Sequence, residues 1–446
     1  MSKNRSIIIS LIASCFVFMK ILSNSNIFLA AFLILVTYGL LKEENDRRIN
    51  YILFFVSWVY VIKFNLDQSS LLILLFGIYC ILTLFHILIR KKRFSMDLML
   101  VFVLFLFYIS FSLFQGIDES VLHIFEFVLG YLVLILSCIS VTPNTSISNM
   151  FIHYSLGLLA GSIVRVLGYI IPTINSFILS MGRINTVSTG GILYTRFAGL
   201  DIDPNYYAIQ VLLAISLNIL VIFYVKRRRT LNIIITISLV VFGLLSFSKM
   251  YILTILILNI LIVFMLIRKN IFNAFIYLTS ILVLSIIILN QFGNYFYNAY
   301  LTRFVGQGNS LGDLTTGRTE IWNGYLQDIL EHLKILFFGN GLANGFFNGE
   351  LSHNMYILAL YQIGIIGIII YLILLVYTYK TLKISTSINN KIKISLNIIP
   401  LLMLIIPNFA LDSFAMDYFP IQLFLVMMSL QAGKIDKKFE VLLNEN

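Results

Sequence analysis

An all-α, polytopic membrane protein is the fold class this sequence predicts, and three observations predict it. Of 446 residues, 59% are hydrophobic and only 11% are charged, against about 25% charged in an ordinary soluble domain. Mean hydropathy is +0.95, and apolar runs near the length of a bilayer crossing recur along the whole chain. The net charge is +11, and the basic residues alternate between rich and poor breaks, as loops do on the two sides of a membrane. A water-soluble globule is excluded for lack of polar surface to cover it. Disorder is excluded by the same composition, and nucleic-acid binding is a poor explanation of positive charge in such a chain.

Fourteen segments read as helices, with 12–14 crossing the membrane. The first, 7–22, follows Lys3 and Arg5 in the manner of a signal sequence. No small-residue cleavage site follows it and a second apolar run, 27–41, begins at once, so it is read as a retained helix. Next come 50–64, 71–89, 97–115, 120–141 and 150–171. Beyond a polar stretch lie 205–225, 231–246, 250–267 and 271–290. After a second polar stretch come 353–379, 395–410 and 416–432. The breaks at Lys3/Arg5, Lys42/Arg47/Arg48, Arg90–Arg93, Lys226–Arg229, Arg268/Lys269, Lys380–Lys393 and Lys434–Lys438 hold 22 of the 31 basic residues. The positive-inside rule makes these breaks and both termini cytoplasmic. Their net charge is then +15, and that of the outer breaks and spans −4, so the basic excess is mainly a topology signal.

A single membrane domain, 1–446, is expected, with two long outer loops, 172–204 and 291–352. Loops of that length are usually functional. Within the second, Ile321, Trp322, Tyr325, Leu326, Ile329, Leu330 and Leu333 recur at helical spacing, so 319–335 is expected as an amphipathic helix on the outer membrane surface. His332 lies four residues after Asp328, the spacing of a helix-surface pair. Cys15, Cys80 and Cys138 lie in apolar runs without metal-ligand spacing and read as small hydrophobes.

Chemistry concentrates outside. His353-Asn354 stands where the second loop re-enters the membrane. A helix N-terminus there offers free N–H groups to an anionic ligand and favours a neutral imidazole that can accept a proton. Gly364 and Gly367 in the following helix permit close approach of another helix. Arg196 lies in Arg196-Phe197-Ala198-Gly199-Leu200, followed by Asp201 and Asp203-Pro204-Asn205. Arg303 and Arg318 lie in the second loop, Lys249 in Ser246-Phe247-Ser248-Lys249, and Arg165 inside its span, where an ionisable residue is costly and usually functional. Positive charge is scarce on this side, and a guanidinium fork matches a phosphate. The ordinary reading of each alone is a solvated or snorkelling side chain.

Together these residues resemble the bacterial O-antigen ligases and O-antigen or capsular polysaccharide polymerases. His353-Asn354, nine residues, Gly364, two residues and Gly367 match the ligase pattern. Arg196 to Leu200 and the Asp-Pro-Asn that follows match the first outer loop, and Gly317-Arg318, Ile321-Trp322 and Phe338-Gly339-Asn340-Gly341 match the second. Lys249 replaces an arginine of the family, keeping the charge and losing the fork. The resemblance implies a GT-C-like, inverting, metal- and cofactor-independent glycosyltransferase in the bacterial cytoplasmic membrane. It would join polyprenyl-diphosphate-linked oligosaccharide repeat units on the outer face. His353 and Arg318 would be catalytic, and Arg196, Arg303, Lys249, Arg165, Asn354 and Asp203 would bind the diphosphate or glycan. Its partners would be the lipid-linked oligosaccharides and membrane lipids, with a chain-length regulator and a flippase alongside. Transfer of the glycan to a lipid, protein or wall acceptor is the alternative within the family. A lipid-linked glycan flippase is the alternative outside it, but that calls for midplane charges and internal repeats, which the sequence lacks.

Overall fold

The computed structural model describes residues 5–64, 69–90, 95–111, 120–142, 145–180, 186–189, 192–224, 229–300, 317–342, 344–382, 394–414, 416 and 418–432. Over these the chain is almost wholly helical. Helices α1 (Arg5–Ser23), α2 (Ile27–Lys42), α3 (Asn45–Phe55), α4 (Leu72–Ile89), α5 (Met96–Ser110), α6 (Ser120–Ser140), α7 (Ile147–Gly168) and the short α8 (Pro172–Ser180) precede an antiparallel hairpin, β1 (Thr186–Thr189) and β2 (Ile192–Thr195). Then follow α9 (Pro204–Tyr224), α10 (Arg229–Leu244), α11 (Lys249–Lys269), α12 (Ile271–Tyr300), α13 (Arg318–Glu331) and α14 (Leu333–Phe338). The pairing of β3 (Phe346–Phe347) with β4 (Glu350–Leu351) leads into α15 (Met355–Thr381), α16 (Ile394–Ile405) and α17 (Phe419–Ala432). By length and composition, α1, α4, α7, α9, α11 and α15 can each cross a membrane. The chain is a multi-pass, all-α membrane protein.

Most expected segments coincide with these helices to within a few residues, and the exceptions have physical causes. The run expected over 50–64 begins earlier, at Asn45, and ends at Phe55, continuing as a 3-10 turn over Val56–Trp58. Protein buries it on all sides, so bilayer length does not govern it. The indole N–H of Trp58 donates to the Gly157 carbonyl of α7 at 2.9 Å. Gly157 faces the Phe54 backbone so closely that any Cβ would collide with it. The stretch 172–204, expected as a loop, holds α8 and the β1–β2 hairpin. Pro172 opens α8, and Ile174 and Ile178 share a face that packs on Gly168. The stretch 291–352 begins as the last third of α12.

The amphipathic segment 319–335 is two helices, α13 and α14, broken at His332 (φ −118°, ψ 91°). Its buried face, Tyr325 and Ile329, packs with Tyr361 of α15. That face meets protein and not the membrane surface, while Leu326, Leu330 and Leu333 stay exposed. His332 and Asp328 pair as their spacing suggests, Nδ1 to Oδ1 at 3.0 Å.

Helix α9 is central. It packs against α7, α10, α11 and α16 and is buried along nearly its whole length, with Gln210, Ser216 and Asn218 inside. Asn218 donates to Ser155 of α7 at 3.0 Å. Helix α15 is broken at Gly364 (φ 61°, ψ −179°). A break inside a span requires protein partners for the freed carbonyls, and it has them. Asn340 N–H donates to the Tyr361 carbonyl at 2.7 Å and Gly341 N–H to that of Gln362 at 3.0 Å. Tyr108 Oη of α5 donates to that of Ile363 at 2.6 Å. Gly339 and Gly364 meet backbone to backbone, and a Cβ on either would strike a carbonyl of the other strand.

Candidate active site

The site is built on one carboxylate, Asp412, in the short connection between α16 and α17. Its Oδ1 accepts from Ser352 Oγ at 2.7 Å and from the Asn354 N–H at 2.8 Å. Its Oδ2 accepts from the His353 N–H at 2.8 Å. The His353 ring stands beside it, Nδ1 to Oδ2 at 3.6 Å. Asp412 is only 3% exposed, whereas the His353 side chain is 37% exposed. So the imidazole lies with its Nδ1 edge toward the buried carboxylate and part of its ring at the surface. His353 is held at φ 50°, a left-handed conformation uncommon for a non-glycine residue and characteristic of functional sites.

Two sequence expectations change here. The helix N-terminus offered to an anionic ligand is occupied by the protein's own carboxylate, Asp412. Asn354, expected among the ligand-binding residues, is the N-cap of α15. Its Oδ1 accepts from the N–H groups of Tyr356 (3.0 Å) and Ile357 (3.3 Å), and the residue is 6% exposed. Its side chain satisfies the first turn of the helix.

Arg318, the first residue of α13, donates from Nη1 to the Ala410 carbonyl at 3.0 Å, two residues before Asp412. Burial lowers the pKa of its guanidinium, and the fields of Asp412, Asp203 and Tyr206 offset that only in part. An arginine keeps its charge against such a shift. Tyr206, on the first turn of α9, lies in the field of Asp412, Asp203 and Asp201. His353 therefore stands beside Asp412, Arg318 grips the chain two residues before it, and the charges of Asp412 and Asp203 both act on Arg318.

Asp203 forms an Asx turn into α9, its Oδ1 accepting from the Asn205 N–H at 2.6 Å, with Pro204 as first helical residue. Its own N–H donates to Asp201 Oδ1 at 3.2 Å, and Gln210 Nε2 donates to Asp201 Oδ2 at 2.8 Å. Asp201 is buried, and burial raises its carboxyl from 3.8 to about 8.

Arg196 is 7% exposed. It donates from Nε to the Ser246 carbonyl and from Nη2 to Asn205 Oδ1, both at 2.9 Å, so part of its fork clasps the loop before α11 to the start of α9. Phe197 continues the clasp, stacked on Phe242 with centroids 5.2 Å apart. Lys249 opens α11 behind the N-cap Ser248, and α11 packs on the turn Pro407–Ala410 that Arg318 also grips. Arg165 lies in the last turn of α7, 5.6 Å from the Tyr169 ring, away from this network. Arg303 lies outside the described residues.

Sequence reasoning missed Asp412, Ser352 and Tyr206. The available signal for Asp412 was scarcity, one of two carboxylates, with Asp417, in a short break between two apolar runs. Trp322 fixes the approach, its indole N–H donating to the Ser352 carbonyl at 2.7 Å. No family model matches the chain, and no curated protein matches it.

Proposed function

We propose that the protein is a glycosyltransferase that joins polyprenyl-diphosphate-linked oligosaccharide repeat units on the outer face of the bacterial cytoplasmic membrane, a polysaccharide polymerase of the O-antigen or capsule type. One observation carries the reading: a partly exposed histidine at a left-handed backbone position beside a buried carboxylate, with an arginine that grips the carbonyl two residues before that carboxylate. The distribution of basic residues along the sequence favours an outer-side position for this constellation.

The chemistry needs no more than the chain provides. An acceptor hydroxyl attacks C1 of the donor sugar, and the bond from C1 to the diphosphate oxygen breaks with inversion. The hydroxyl proton passes to Nε2 of His353, the nitrogen turned away from Asp412. Arg318 and Lys249 offset the negative charge that collects on the leaving diphosphate. Arg196 holds the two loops in register, and Asp203 keeps Arg318 oriented.

Deletion of the gene and complementation, with glycan length read on a gel, tests the proposal. His353→Ala and Arg318→Ala are each expected to leave single repeat units attached and no polymer. Full-length polymer at normal abundance from both variants would sink it. Polymer stranded on the carrier lipid would mark a ligase, and repeat units trapped inside would mark a flippase.

A further inference from the structure

The segment that begins at Arg318 leaves an apolar stripe uncovered. One face of it, Tyr325 and Ile329, packs on Tyr361. Away from that face Leu326, Leu330, Leu333, Phe337 and Phe338 are exposed, Leu330 by 70% and Leu333 by 66%. Leu326 and Leu330 stand one turn apart on α13, and Leu333 and Phe337 one turn apart on α14, so the stripe runs along both helices. Polar side chains border it: Gln327 donates to Glu331 at 2.8 Å, and Lys334 is exposed. A water-facing surface rarely keeps so many large apolar side chains together.

Helix α15 sets the depth of that stripe. Its last turn carries Lys380, the charged end of an apolar run. Gly364 lies roughly 24 Å from Lys380 along the axis, at about 1.5 Å per residue, which is inside a hydrocarbon core of about 30 Å. Phe337 and Gly339 lie against Gly364, each with an atom 2.6 Å from where a Cβ would stand. Met355 and the site residues before it lie roughly 38 Å or more from Lys380, beyond that core. The segment therefore descends from Arg318, which grips Ala410 beside the site, to Phe338, about one turn inside the apolar layer. Tyr108 of α5 meets it there, its Oη 3.0 Å from the Phe338 carbonyl oxygen and 2.6 Å from that of Ile363. Val103, Leu104 and Phe107 of α5 are exposed like the stripe, so the lipid-facing side of a membrane helix adjoins α14.

We infer that residues 326–338 form an arm that dips into the leaflet on the site's side of the membrane, with its exposed stripe covered by lipid acyl chains. The surroundings at that depth are hydrocarbon, and the stripe continues the lipid-facing side of α5, which makes lipid its cover. Lys334 reaches back to the headgroups with its ammonium, and the polar border suits the interface. The arm continues the helix that starts at Arg318 and holds the Ser352 carbonyl through Trp322, so the bilayer braces one wall of the candidate site. The inference rests on the membrane-spanning fold and not on glycosyl transfer, so the two stand or fall separately.

The test reconstitutes the full-length protein in phosphatidylcholine vesicles whose acyl chains are plain or brominated. It reads the tryptophan fluorescence that Leu333→Trp, Phe338→Trp and Glu350→Trp each add to that of Trp58 and Trp322. Bromine quenches only at close range, so the two arm variants are expected to lose most of the added fluorescence in brominated lipid. Glu350→Trp, at an exposed position before α15, is expected to keep it. Equal loss in all three variants, or no loss in either arm variant, overturns the arm. No loss together with a dimer in sedimentation would give the stripe to a second copy of the chain and overturn lipid as its cover. Should Phe338→Trp not fold, Leu330→Trp carries the same outcomes.

Discussion

Asp412 and Asp201 are two carboxylates of similar burial that face the same tyrosine, Tyr206, yet they are used in opposite ways. Asp412 gathers. Three donors from 58 to 60 residues away meet its two oxygens, and His353 and Arg318 stand beside it. Asp201 closes a local turn, with one backbone N–H and one amide from the same stretch of chain, and burial raises its carboxyl to about 8. Burial alone does not make a functional acid. What distinguishes Asp412 is that distant elements spend donors on it and bring a base and a cation with them.

The largest expected effect breaks that contrast at Asp412. In Asp412→Asn one oxygen becomes an NH2 group that cannot accept from the backbone N–H facing it. Each buried donor left unmet costs about 1–3 kcal/mol, and the left-handed turn at His353 loses its restraint. Thermal unfolding of the detergent-solubilised protein should fall well below wild type, and polymer on the gel should disappear. An unfolding midpoint and polymer level equal to wild type would show that Asp412 is not the anchor.

The contrast also explains what was legible. His353, Arg318, Lys249 and Asp203 stand out in the sequence because polar residues are scarce on that side, and each of them reaches the site or its border. Asn354 carries a role the spacing did not reveal, because an asparagine before an apolar run serves equally as a ligand and as a cap, and only the helix start at Met355 shows the cap. Asp412 is invisible because its partners are remote and no local spacing marks it. Gly364 and Gly367 do mark close approach: Gly367 admits helix α5 through the Tyr108 ring, whereas Gly364 meets the Gly339 backbone of a loop. The break at Gly364 depends on loop residues 339–341, whose pairing no local pattern encodes.

Arg318 gives the next effect. Arg318→Ala should leave the fold standing, since its described hydrogen bond goes to one carbonyl at a partly exposed position. It removes charge from where the leaving group forms, and losses of about 100- to 1,000-fold in rate are typical for such a contact. Arg318→Lys keeps the charge without the fork and should fall between. Polymer formation by Arg318→Ala at the wild-type rate, measured on isolated membranes with lipid-linked repeat units, would assign the arginine to holding Ala410 alone.

Gly364→Ala tests whether the broken helix supports the anchor. The pair φ 61°, ψ −179° lies in a region essentially confined to glycine, and the new Cβ would meet the Phe337 carbonyl. A lower unfolding midpoint and reduced polymer are expected. An unchanged midpoint would mean that the 337–341 strand shifts freely and does not brace His353.

The smallest effect is expected at Asp201, and its sign with pH separates it from Asp412. Burial raises the Asp201 carboxyl from 3.8 to about 8, so between those values the folded chain holds a proton that the unfolded chain has released. Stability from this group is then fully present below about 4 and declines as pH rises through 8. Asp201→Asn is close in shape to the neutral acid and should form polymer within about threefold of wild type, losing at most about 1 kcal/mol through one rearranged hydrogen bond. Because it cannot ionise, its unfolding midpoint should change less than that of wild type between pH 5 and pH 8.5, and the two curves should converge or cross as pH rises. Parallel curves would mean that Asp201 is ionised in the fold. The contrast with Asp412 would then rest on which groups the carboxylates hold, and no longer on whether Asp201 carries its proton.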